Sequence, residues 1–148
     1  MCGVLEGMHR VGWRQVPVVA VETVGAECFN LSQTAGELVK IYPTSLAKSL
    51  GASVATAQTM VWDAKHTIHS LVVDDDTAVS ATVRFADDHR MLVEPACGAA
   101  LSVMYDRQLL AGLPAAKSLL TGPVVVVVCG GAMSTPQIIA DLKAQCKL

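Results

Sequence analysis

Five valines in succession, Val124 to Val128, constrain this chain more than any other stretch. β-branched side chains lose rotamer freedom in a helix and pack well on a pleated surface, so the run reads as a strand. Neither face carries a polar residue, which is the pattern of a parallel strand covered on both sides. The apolar stretch from Pro123 to Cys129 is far shorter than the ~20 residues a membrane-spanning helix needs. Cys129-Gly130-Gly131 follows it directly.

Other segments share this character. Val16-Pro17-Val18-Val19-Ala20-Val21 predicts a second two-faced strand, and His69 to Val73 and Met91 to Val93 predict shorter ones. Val39 to Tyr42 reads as a brief edge strand stopped by Pro43. Helical spacing alternates with them. Val4, Leu5, Met8 and Val11 repeat up to Gly12, and Leu31, Ala35 and Leu38 mark a second helix. Ser45 to Leu50 and Val54 to Ala64 predict further helical stretches, separated at Gly51. Asp74-Asp75-Asp76 precedes a pattern carried by Val79, Val83 and Ala86; the acidic run is preferred as a cap over a metal site. Glu94-Pro95 opens a helix running to Leu110, and a loop covers Gly112 to Pro123. Ser134 to Gln137 has capping-box spacing, with Pro136 in the first turn. The alternation predicts an α/β three-layer sandwich around a mainly parallel sheet.

At 148 residues, 52% hydrophobic and 16% charged, the chain suits one domain or a large piece of one, and disorder is excluded. A net charge of -2 gives no electrostatic footprint for nucleic acid or an anionic membrane, so neither is expected as a partner. The amino-terminal residues lack the basic stretch and apolar core of a signal peptide. Five cysteines, scattered and without a CxxC, argue against a disulfide framework and for a reducing, cytoplasmic setting.

In open α/β sheets ligands bind beyond the carboxyl ends of the strands. Glu22-Thr23, Glu94 and Cys129-Gly130-Gly131 all fall at such ends. Paired glycines allow close approach to the backbone. Cys129 could be a ligand contact, a nucleophile or an ordinary buried thiol. GxGxxG, Walker A and GxSxG motifs are absent. His66 and His69 read as a solvated pair, His9 and His89 as helix exteriors, and Trp62 as core.

VPVVAVETVGAECFN, TSLAKSLGA, RMLVEPACGAAL and VVVVVCGG occur here in the order and spacing of the L-serine dehydratase/L-threonine deaminase family. The chain resembles that family from Cys2 to its last helix. The resemblance implies the C-terminal part (residues 1–148) of a fold-type-II, tryptophan-synthase-β-like pyridoxal-phosphate domain. The implied reaction is deamination of L-serine and L-threonine to a keto acid and ammonia, in amino-acid catabolism. The resemblance implies a Schiff-base lysine in an SxK motif well upstream and a glycine-rich phosphate loop just before Met1, and neither is present here; Lys40, Lys48 and Lys65 lie outside such a context. By resemblance, Cys129 partners the cofactor's pyridine nitrogen and Gly130 and Gly131 flank its ring. Glu22, Ala26, Cys28, Leu50 and Ala52 match positions around a monovalent cation, usually potassium; Cys28 replaces a serine hydroxyl. Glu22 has a plainer second reading as a helix-capping carboxylate. The family further implies a small amino-acid substrate and a homodimer for the full-length protein. A truncated, non-catalytic form that binds a full-length subunit is the competing expectation.

Overall fold

A computed structural model describes residues 1–114, 119 and 121–146. Its centre is a pair of parallel strands, β1 (Val18–Thr23) and β2 (Ile68–Val73), in register from Val18 opposite Ile68 to Thr23 opposite Val73. Because side chains alternate across a strand, the two faces separate cleanly. Val18, Ala20 and Ile68 join a cluster with Leu5, Cys28, Phe29 and Trp62. Val21, Leu71 and Val73 join Ala78 and Ala99 on the other face. Both strands are therefore covered on both sides, as their apolar runs predict.

The first helical layer is α1 (Cys2–Arg10), α2 (Cys28–Ala35) and α3 (Ala57–Asp63). The second is α4 (Asp75–His89) and α5 (Pro95–Tyr105), and α6 (Pro136–Gln145) closes the chain. The order is that of a three-layer sandwich built on a small sheet. All five cysteines are free thiols. Among the described residues no helix is long and apolar enough to cross a membrane.

The acidic run behaves as a cap. Asp74 accepts from the Thr77 amide at 2.7 Å, and Asp75 and Asp76 sit in the positive first turn of α4. Hydrogen bonding from Thr77 holds the Asp74 carboxyl below its usual range. Replacing Asp74 by Ala should destabilise the fold by about 1 kcal/mol. Since the folded carboxyl titrates below its ordinary 3.8, the cap's contribution is present above that value and is lost as pH falls through the lowered one. Urea denaturation near neutrality and in acid checks both statements: the gap between wild type and variant should close in acid.

Several expected elements differ. Val124–Val128 forms no strand ladder. Val126 and Val128 pack on Val93, Cys97 and Leu101, whereas Val125 is 80% exposed and Val127 54%. One face is thus covered and the other bare, because no described strand lies beside it to take its hydrogen bonds. Met91–Val93 is likewise irregular, and Val39–Tyr42 reduces to a single antiparallel bridge, Lys40 with Val54. Ser45–Leu50 supplies only a 3₁₀ turn at Lys48–Leu50. The helix after Pro95 ends at Tyr105, where extended Asp106 interrupts it before a 3₁₀ turn at Arg107–Leu110. In α2 the buried residues are Cys28, Phe29 and Ser32, while Leu31 and Leu38 are exposed. The cap of α6 is Thr135, which accepts from the Ile138 amide; the Ser134 hydroxyl instead donates to the Val93 carbonyl at 3.0 Å. Part of the expected loop at Gly112–Pro123 (residues 115–118 and 120) lies outside the described residues.

Candidate active site

The carboxyl ends of β1 and β2 open on one side of the sheet, where three irregular segments meet them. Residues 44–50 cross the strand ends, held by hydroxyl and carboxylate contacts. The Ser45 hydroxyl donates to Asp75 Oδ1 at 2.6 Å, so the Thr23 hydroxyl donates to Ser45 Oγ at 2.7 Å. The other Asp75 oxygen accepts from the Leu46 amide at 2.9 Å. The end of β1 is thereby fastened to the start of α4. A shallow groove lined by Val24, Thr44, Ser45 and Asp74–Asp76 lies over this join.

Glu22, at 9% exposure, ends β1 with its carboxylate turned onto α2. Oε1 accepts from the Phe29 amide at 3.0 Å and Oε2 from the Asn30 amide at 2.7 Å. The capping role is therefore present. Burial raises the Glu22 pKa against those two hydrogen bonds, and Glu27 raises it further. Cys28 Sγ lies 4.0 Å from Glu22 Oε1; burial and that carboxylate push its thiol up. Ala26 is fully buried in the same turn, its amide donating to the Thr23 carbonyl. Leu50 and Ala52 form a separate turn. The Leu50 carbonyl accepts from the Ala52 amide at 2.7 Å, and the Leu50 side chain packs with Val73, Ala78 and Ala99. One further oxygen stands out: Glu27 Oε2 is buried with no hydrogen-bond partner among the described residues.

The third segment carries the cysteine. Cys129 is exposed at the end of the valine run, and the next two residues lie tight against residues 92–97. A Cβ on Gly131 would fall 2.5 Å from the Leu92 carbonyl oxygen, so only glycine fits there. A Cβ on Gly130 would meet Cys97 Sγ and the Glu94 carboxyl carbon at 3.3 Å each. Glu94 begins α5 without capping it; its carboxylate accepts instead from the Ser49 hydroxyl. Ser49 and Glu94 thus connect the Leu50 turn to the Cys129 turn. An exposed thiol on a segment pinned by two glycines and Ser134 suits contact with an aromatic ring nitrogen.

Sequence reasoning placed Glu22, Glu94 and Cys129 at strand ends, but it gave Ser45 and Ser49 no role of their own and read Asp75 only as part of a helix cap. Their partners lie 30 and 45 residues away, beyond any local spacing. His66 was also misjudged. His66 is buried at 6% exposure and bonded to His9 and to the Val16 carbonyl, so it is not a solvated partner of His69.

Residues 1–130 match the model of the pyridoxal-phosphate dependent enzymes. The chain is 47% identical over 149 residues to a Bos taurus L-serine dehydratase/L-threonine deaminase, covering 98% of this chain and 45% of that protein. It is 51% identical over 135 residues to a Homo sapiens serine dehydratase-like protein, covering 88% of this chain and 40% of the relative. Among solved structures, a fungal L-serine ammonia-lyase from Rhizomucor miehei superposes with a TM-score of 0.85 at 34% identity. That match covers 97% of this chain and 45% of the fungal one. A maize serine racemase shares the fold, with a TM-score of 0.79 at 19% identity. The chain therefore spans less than half the length of these relatives. Together these likenesses show that the chain belongs to the pyridoxal-phosphate dependent enzyme family.

Proposed function

We propose that this chain is the C-terminal part of a cytoplasmic, pyridoxal-phosphate-dependent L-serine and L-threonine ammonia-lyase that is homodimeric at full length. The observation that carries the reading is likeness over 98% of the chain to a protein with that activity in its name, at 47% identity. Bound pyridoxal phosphate supplies an electron sink for the carbanion left when the amino acid loses its Cα proton. Cys129 would hold the pyridine nitrogen through its thiol, and Gly130 and Gly131 would let the backbone pass close to the ring. By the family resemblance, Glu22, Ala26 and Cys28 on one turn and Leu50 and Ala52 on another would be the residues to hold a potassium ion. The unpartnered Glu27 oxygen beside the Glu22 turn supports a hard cation there, since such ions take oxygen ligands.

The test is a chimaera joining this chain to the amino-terminal portion of a serine dehydratase relative. In it, Cys129→Ala should weaken cofactor binding and slow turnover about tenfold, because one neutral hydrogen bond contributes roughly 0.5–1.5 kcal/mol. Cys129→Ser should be milder, and Cys129→Asp should alter reaction specificity by favouring a protonated ring. Cofactor affinity and turnover unchanged in all three variants would reduce the thiol to packing.

A second reading is a non-catalytic form that docks on a full-length subunit. The bare face of Val125 and Val127, with no described strand paired to it, favours it. Co-purification of the chain with a full-length relative, lost in Val125→Lys/Val127→Lys, separates it from the first.

A further inference from the structure

His9 on α1 and His66 on the turn between α3 and β2 lie 57 residues apart in the chain. His66 Nε2 lies 2.8 Å from the Val16 carbonyl oxygen, and a carbonyl only accepts, so Nε2 carries a proton. In the neutral ring Nδ1 is then an acceptor. His9 Nε2 lies 3.0 Å from it and must donate. The His9 ring also stands edge-on to Trp62, with centroids 4.8 Å apart. A run of two imidazoles thus ties α1 to the segment entering β1 and to the end of α3.

We propose that His9 and His66 form a proton-released clamp that seats α1 on the first helical layer and frees it on acidification. The reasoning concerns hydrogen-bond direction. A proton on His9 leaves its Nε2–H still able to donate, so the pair tolerates one charge. A proton on His66 occupies the Nδ1 that has to accept, and two N–H groups then face each other. The clamp cannot hold both charges.

The surroundings reinforce this. Arg14 after α1 and Lys65 after α3 both bear on His9, and burial, the largest cause, combines with them and His66 to lower its pKa. The nearby carboxylates are engaged elsewhere: Glu6 pairs with Arg10 at 2.5 Å, and Asp63 accepts from Gln33 at 2.6 Å. Apart from the clamp, α1 is held by the buried Leu5 and a Cys2–Thr59 thiol–hydroxyl contact at 3.6 Å. The seated form binds fewer protons than the released form. Its stabilisation is therefore complete above the ordinary histidine value of 6.5 and is lost as pH falls through the lowered one.

Hydrogen–deuterium exchange of the 148-residue chain at about pH 7.5 and about pH 5, corrected for intrinsic rates, tests the clamp. Uptake of one proton on release changes an opening equilibrium by up to about tenfold per pH unit. Peptides spanning α1 should lose about tenfold in protection in acid, while α4 and α5 hold theirs. His9→Gln does not titrate, and its side-chain amide can donate to the neutral His66 Nδ1 or turn to accept from the protonated one, so it should remove that pH dependence. Imidazole ¹⁵N spectra should show His66 as the Nε2–H tautomer near neutrality. Flat α1 protection in wild type, an equal pH response in His9→Gln, or an Nδ1–H tautomer for His66 would overturn the proposal.

Discussion

Incubated with pyridoxal phosphate and L-serine, the 148-residue polypeptide is expected to release no pyruvate above a buffer control. Deamination requires a base poised at the substrate Cα, and enzymes of this kind exceed the uncatalysed rate by at least about 10⁶. A chain that offers no such base should be indistinguishable from buffer. No lysine here lies in an SxK motif. Lys40 sits over the Tyr42 ring, with Nζ 5.9 Å from its centroid, and Lys48 Nζ donates to the Ser45 carbonyl at 2.9 Å. Lys65 lies just before β2, at the opposite end of the sheet from the candidate site. Lys143 is in the last turn of α6. Lys117 and Lys147 fall outside the described residues. On the proposed function, fusing the amino-terminal portion of a relative should supply the missing base and give activity. Cofactor-dependent pyruvate formation by the polypeptide itself would contradict this account.

The parts of the fold that were legible in the sequence are those whose determinants are local. Apolar runs of one strand's length gave β1 and β2, and Asp74 announced α4 because a cap acts on an amide three residues away. Pro136 marked the start of α6 for the same reason. The valine run misled because hydropathy records a capacity for burial on two faces, while strand pairing needs a neighbour. With none described beside it, only Val126 and Val128 find cover. The site shows the same division. Strand-end logic singled out Glu22, Glu94 and Cys129, of which only Glu22 lies on a described strand, and the hydroxyls that fasten these segments together depend on contacts across the fold. His66 was missed because an isolated histidine carries no mark of its distant partner.

The largest stability effect is expected where α5 crosses α4. Gly98 lies in the first half of α5, and a Cβ there would land well inside van der Waals contact of the Ala78 carbonyl oxygen and the Thr82 hydroxyl. Both neighbours are rigid. The Thr82 hydroxyl already donates to the Ala78 carbonyl at 2.9 Å, and Ala78, Thr82 and Ala99 are fully buried. Two opposing terms decide the sign. Replacing glycine by alanine inside a helix gains about 1 kcal/mol in propensity. Overpacking a close-packed core costs about 1–3 kcal/mol, and here the obstacle is backbone, so the upper end applies. Gly98→Ala should destabilise by about 2 kcal/mol net, and Gly98→Val should prevent the two helices from docking. Gly7→Ala is the control, because nothing lies within 4 Å of a Cβ at that helical position. There the propensity term acts alone and the variant should be more stable than wild type by about 0.5–1 kcal/mol. Adding Thr82→Ala to Gly98→Ala should recover little, since the hydroxyl leaves but the Ala78 carbonyl stays and the site loses a hydrogen bond. Urea denaturation of the four variants measures all of this, and a Gly98→Ala protein as stable as Gly7→Ala would show that the α4–α5 crossing is looser than its geometry implies.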